Sequence, residues 1–172
     1  MHALAWWPTL TAVLIATVCD LRSRRIPNWL VLPFLLGGIA TSAITHGWSG
    51  LGHSLWGILI GALVLGPLAW LGGMGMGDVK LCAAIGAWIW PGQLVMALVV
   101  MGLAGGLMAL GRAVYGGFLK ESLSGAGDLV FGFRKRGFRS HDTLVLANPE
   151  SRTMPYAPAI AIGALFSFLV QS

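Results

Sequence analysis

The chain has 172 residues, 56% of them hydrophobic and only 10% charged, with a mean hydropathy of +0.79. That balance excludes an ordinary soluble globule and points to a single helical bundle in a lipid bilayer. The net charge of +5 and pI of about 9.9 do not indicate nucleic acid. The basic residues lie between apolar stretches, with no aromatic-interleaved basic surface, so topology and anionic headgroups explain them.

Residues 3–19 form the first apolar run, with Trp6 and Trp7 near its outer end. No Lys or Arg precedes it, so it does not read as a cleavable signal. Arg22, Arg24 and Arg25 follow it, which predicts an external N-terminus. Ile26-Pro27-Asn28 leads into a second span over residues 29–45, Pro27 suiting a helix start. Residues 46–53 make a short connection without Lys, Arg, Asp or Glu. A third span covers residues 54–73, with a kink expected at Gly66-Pro67.

Next comes Gly75-Met76-Gly77-Asp78-Val79-Lys80. Residues 80–90 are apolar but fall short of the ~20 that cross a bilayer. The fourth helix therefore begins near Gly75, or the site lies below the membrane surface; either recesses Asp78. Trp88 and Trp90 mark the outer interface, and Pro91-Gly92 the turn. A fifth span runs over residues 94–113, where Gly102, Gly105 and Gly106 permit close packing. Residues 116–153 are hydrophilic, with Arg134, Lys135, Arg136 and Arg139 among Val130, Phe131, Phe133 and Phe138. That segment is expected to lie on the membrane surface or to fold partly against the helices. Residues 156–170 form the last span.

In this layout all 11 Lys and Arg residues fall on the cytoplasmic side. The expected fold is an all-α, multi-pass bundle of about six transmembrane helices with both termini outside. Residues 1–172 form one domain with a cytoplasmic loop at about 116–153.

The two cysteines, Cys19 and Cys82, form no CxxC pair. His2, His46 and His53 fall outside and His141 in the loop, so no metal or cofactor is expected. Asp20 ends span one and Asp78 opens span four on the same side. Singly, Asp20 reads also as a salt-bridge partner of the arginines. Gly75, Gly77 and Asp78 read also as a helix stop and the next cap. Together the acids can form a dyad in which one keeps a proton, activating water on a peptide carbonyl without a metal. Helix dipoles put the proton on Asp20 and the anion on Asp78. Paired carboxylates among glycine-rich helices also suit a small proton-coupled transporter or channel, although both acids lie at one face.

Asp20-Leu21-Arg22 with Arg25-Ile26-Pro27-Asn28, then Gly75 to Leu81, then Met154-Pro155-Tyr156-Ala157-Pro158-Ala159 occur in order. The chain thereby resembles the prepilin peptidases, polytopic aspartyl proteases of the bacterial inner membrane. The resemblance implies that Asp20 and Asp78 are the catalytic pair. It also implies that the substrates are prepilin or pseudopilin precursors, cut at the cytoplasmic face beside a pilus or secretion machinery. Gly75, Gly77, Lys80, Pro27, Asn28, Pro155 and Tyr156 are expected to shape the site or meet substrate. Lys80 reads equally as an interface anchor, and Pro155 and Pro158 as a helix start. The paired CxxC motifs of larger members are missing, so N-methylation is not expected. The compact form is similar to the tight-adherence (Flp-type) branch. The presenilin group shares a Gly-x-Gly-Asp element, but its Tyr-Asp pair and Pro-Ala-Leu motif are not found here.

Overall fold

The computed structural model describes residues 2–23, 25–70, 74–115 and 156–170, and every element among them is an α-helix. These are α1 (His2–Ser23), α2 (Asn28–Trp70), α3 (Met76–Trp88), α4 (Pro91–Tyr115) and α5 (Ala157–Val170). The chain divides into two compact units, one of residues 1–104 with 155–172, the other of residues 105–154. The expected loop at 116–153, and Arg24 and Pro155 with it, lie outside the described residues.

In the first unit, α2 runs 43 residues, broken only by Gly47 at φ 60°. An L side chain there would be strained, which is why the reversal falls on a glycine. A Cβ on Gly50 would land on the Ser42 carbonyl, so the chain folds back on itself. The two arms, residues 28–46 and 48–70, are each near the ~20 residues of a crossing. One expectation changes here. The polar connection shrinks to Gly47, because residues 48–53 stay helical. Gly66-Pro67 keeps helical dihedrals; a bend at a proline needs no break in the helix.

Helix α3 is the centre of this unit. Val79, Leu81, Cys82, Ala83, Ala84, Ile85 and Ala87 are all buried, the all-round burial that an all-round apolar helix requires. Small residues let backbones touch: Gly57 meets the Gly86 backbone and Gly61 that of Ala83. The Ala87 carbonyl accepts from Ser54 at 2.7 Å and Ser42 at 3.3 Å. Trp88 donates its indole N–H to the Phe34 carbonyl at 2.7 Å and stacks on that ring at 5.4 Å. Both arms of α2 thus grip the last turn of α3.

Pro91-Gly92, expected as a turn, instead opens α4, and only Ile89 and Trp90 connect the helices. Proline suits a first helical position, and the Gln93 side chain reaches back to the Trp90 N–H at 3.3 Å as in a capping box. Leu94 meets Gly86, Gly163 of α5 meets the Ala97 carbonyl, and Trp6 of α1 meets Phe168 edge-on at 4.8 Å.

Among the described residues, large apolar side chains face outward while several polar ones are buried. Trp29, Leu36, Trp56, Leu63, Val99 and Leu169 are exposed, while Thr9, Asp20, Ser54, Asp78, Gln93 and Ser167 are buried. Water would penalise that exposure. Asn28–Trp70 and Pro91–Gly111 are each long and apolar enough to cross a membrane, and α5 is a shorter apolar helix. Of the second unit, residues 105–115 are described. They are the end of α4, with Leu107, Leu110 and Tyr115 exposed.

Candidate active site

Asp20 lies in the last turn of α1 and Asp78 in the first turn of α3. Although both lie at helix ends, the two side chains are only 6% and 7% exposed. Helices α1 and α3 pack together, and the two carboxyl groups are near enough to act on each other electrostatically. The N-cap of α3 is Gly75, whose carbonyl accepts the Asp78 N–H at 3.1 Å. A Cβ on Gly75 would sit 3.2 Å from Asp78 Oδ2, and one on Gly77 3.1 Å from the Ile26 Cβ. Both glycines therefore leave room, one for the carboxyl group and one for the connection between α1 and α2. Asp78 Oδ1 is buried without a hydrogen-bond partner.

The partner of Asp20 comes from the far end of the chain. The backbone N–H of Ala157, first residue of α5, donates to Asp20 Oδ2 at 3.1 Å, and the bond is buried. The first N–H groups of a helix have no intrahelical acceptor, and Pro158 beside it has no N–H at all. Sequence reading missed Ala157. The usable signal was Pro155-Tyr156-Ala157-Pro158 ahead of an apolar run, which marks a helix N-terminus with free donors. Among the described residues Asp20 makes no ion pair, and Arg22 and Arg25 are exposed. Of the three arginines in the salt-bridge reading of Asp20, Arg24 lies outside the described residues.

A profile of the type IV leader peptidase family matches residues 7–110. The chain belongs to that family. The match takes in Asp20 and Asp78, and Ala157 lies beyond it. The prepilin leader peptidase/N-methyltransferase of Aeromonas hydrophila is 36% identical over 118 residues, covering 61% of this chain and 40% of that protein. The protein of the same name from Burkholderia pseudomallei (strain 1026b) is 32% identical over 148 residues, 76% of this chain and 47% of its own. That from Pectobacterium carotovorum subsp. carotovorum is 28% identical over 169 residues, 94% and 50% of the two chains. The chain thus spans half or less of the length of these relatives. No solved structure matches it.

The other residues that carry the family resemblance divide in two. Lys80 donates to Asn28 Oδ1 at 3.3 Å, tying α3 to the start of α2 on an exposed surface. The Pro27 carbonyl accepts from Leu30 and Val31, starting α2. Tyr156 is half-buried beside Ala157. Thus Gly75, Gly77, Ala157 and Tyr156 lie next to an aspartate or its own turn, whereas Lys80, Asn28 and Pro27 brace the adjoining elements. Cys82, one turn beyond Asp78, is buried with its thiol toward Met101 Sδ at 3.8 Å. Among the described residues no three His, Cys, Asp or Glu side chains gather as a metal site.

Proposed function

We propose that this chain is a membrane-embedded aspartyl endopeptidase that removes the leader from pilin-like precursors at the cytoplasmic face. The observation that carries the reading is the burial together of Asp20 and Asp78, from helices far apart in sequence, inside a matched leader-peptidase region. Such a pair splits a peptide bond through water: one carboxylate takes a proton from water while the other carboxyl protonates the attacked carbonyl oxygen. Burial keeps bulk water from competing with these transfers. The apolar exterior supports a multi-pass helical protein, and the one-sided basic residues support six crossings with both termini outside. On that reading α3, at 13 residues, is about 20 Å long. It does not fill the hydrocarbon, so Asp78 sits below the headgroups where a precursor's apolar helix would end.

The test is co-expression with a pilin-like precursor, scored by electrophoretic mobility of the precursor in membranes. The parent chain is expected to shorten it. A precursor that inserts beside stably expressed parent chain and stays full length overturns the reading.

A further inference from the structure

Resting on the dyad reading above, we propose that the N-terminus of α5 fixes the polarity of the pair. The Ala157 N–H holds Asp20 as the base, and Asp78 carries the proton. The buried Ala157 N–H to Asp20 Oδ2 bond at 3.1 Å is a donor committed to one carboxylate oxygen, and such bonds favour the charged form. The N-terminus of a 14-residue helix adds a positive partial charge at the same point. Asp78 Oδ1 is buried with no donor, a position costly for a charged oxygen but suited to one bearing a proton it can give away. The Gly75 backbone acts on the same carboxyl group and favours its anion, which leaves the unpartnered Oδ1 as the oxygen for the proton. Asp78 also lies in the first turn of its own helix, and Asp20 in the last turn of α1. Those end effects oppose this assignment, but a buried hydrogen bond to a charged oxygen outweighs a partial charge at a helix end. The assignment reverses the one that helix dipoles alone give.

In the resulting cycle Asp20 takes a proton from water as the water oxygen bonds to the scissile carbonyl carbon. The carbonyl π pair moves to its oxygen, which takes the Asp78 proton, leaving a gem-diol, Asp20 protonated and Asp78 ionised. The Asp20 proton then passes to the amide nitrogen and the C–N bond breaks with its electrons on nitrogen. One diol hydroxyl returns its proton to Asp78, releasing an acid and an amine with both side chains restored. Ala157 is a positioning residue here; it touches Asp20, not substrate.

Ala157→Pro removes the N–H at a position where a helix accepts proline and sets its ring against Asp20 Oδ2 in buried space, whereas Ala157→Gly and Ala157→Ser keep the N–H. Ala157→Pro is expected to lower kcat about tenfold or more with KM within about twofold, and the Gly and Ser variants are expected to stay near the parent. A parent-like kcat in stably inserted Ala157→Pro overturns the inference. Should that variant fail to insert, infrared difference spectra of the full chain in lipid decide. Asp20→Asn should delete a carboxylate band and Asp78→Asn a protonated carboxyl band, and the opposite pattern overturns the assignment. Cleavage by both Asn variants would instead remove the dyad reading itself.

Discussion

At the scale of single residues, Gly75 is the sharpest case. Its missing Cβ leaves space that a methyl group would take 3.2 Å from Asp78 Oδ2, so Gly75→Ala turns the carboxyl group without opening the core. Initial cleavage rates in membranes are expected to fall at least about tenfold, while thermal stability in detergent changes by only about 1 kcal/mol. Lys80→Gln is the contrast. The exposed Lys80–Asn28 bond is worth roughly 0–1 kcal/mol, so the variant should keep most of its activity; near-complete loss would bring Lys80 into the reaction. The two aspartates were legible because a membrane charge is expensive and has few innocent uses. The donor on Asp20 was not, because a backbone N–H has no letter of its own. Helix-end effects of about 0.3–2 kcal/mol are visible in a sequence. A charge-assisted hydrogen bond of about 1.5–3 kcal/mol from a residue 137 positions away is not.

At the scale of elements, glycines that look alike in the sequence have opposite roles. Gly57 lies against the Gly86 backbone with no room for a Cβ, whereas nothing stands within 4 Å of a Cβ on Gly66. Gly57→Ala should therefore pry α2 from α3 at a cost of about 1–3 kcal/mol. Gly66→Ala, with helical dihedrals already, should be neutral or stabilise by up to about 1 kcal/mol. Unfolding titrations of the two variants in the same detergent check this, and equal effects would contradict the packing. The existence of most helices could be read from apolar runs of the right length. Their breaks could not, because Gly66-Pro67 carries the stronger breaker signal. The chain reverses at Gly47, where the polar stretch between two crossings needs only one residue outside the helix. The Pro91-Gly92 dipeptide misled in the same way, since Gln93 turns it into a helix start.

At the scale of the whole molecule, an apolar exterior around buried Asp, Ser, Thr and Gln side chains is the arrangement a bilayer selects. Orientation follows from the basic residues rather than from packing. Reporter fusions at Ser49 and Ser172 are expected to read as external and fusions near Gly125 as cytoplasmic. An external signal at Gly125 would sink the six-crossing layout. The three sequence motifs lie on α1, α3 and the start of α5, although their spacing could not reveal that the last motif supplies a backbone donor to Asp20.

If Asp20 and Asp78 act as one unit, the precursor cleavage rate in membranes for Asp20→Asn, Asp78→Asn and the double variant shows it most directly, with insertion checked by immunoblot. Each single change should remove nearly all activity, on the order of 10²-fold or more. The double variant should be little worse than either, because neither carboxyl works without the other. A single Asn variant that cuts near the parent rate, or losses that multiply in the double variant, would contradict the shared-proton dyad.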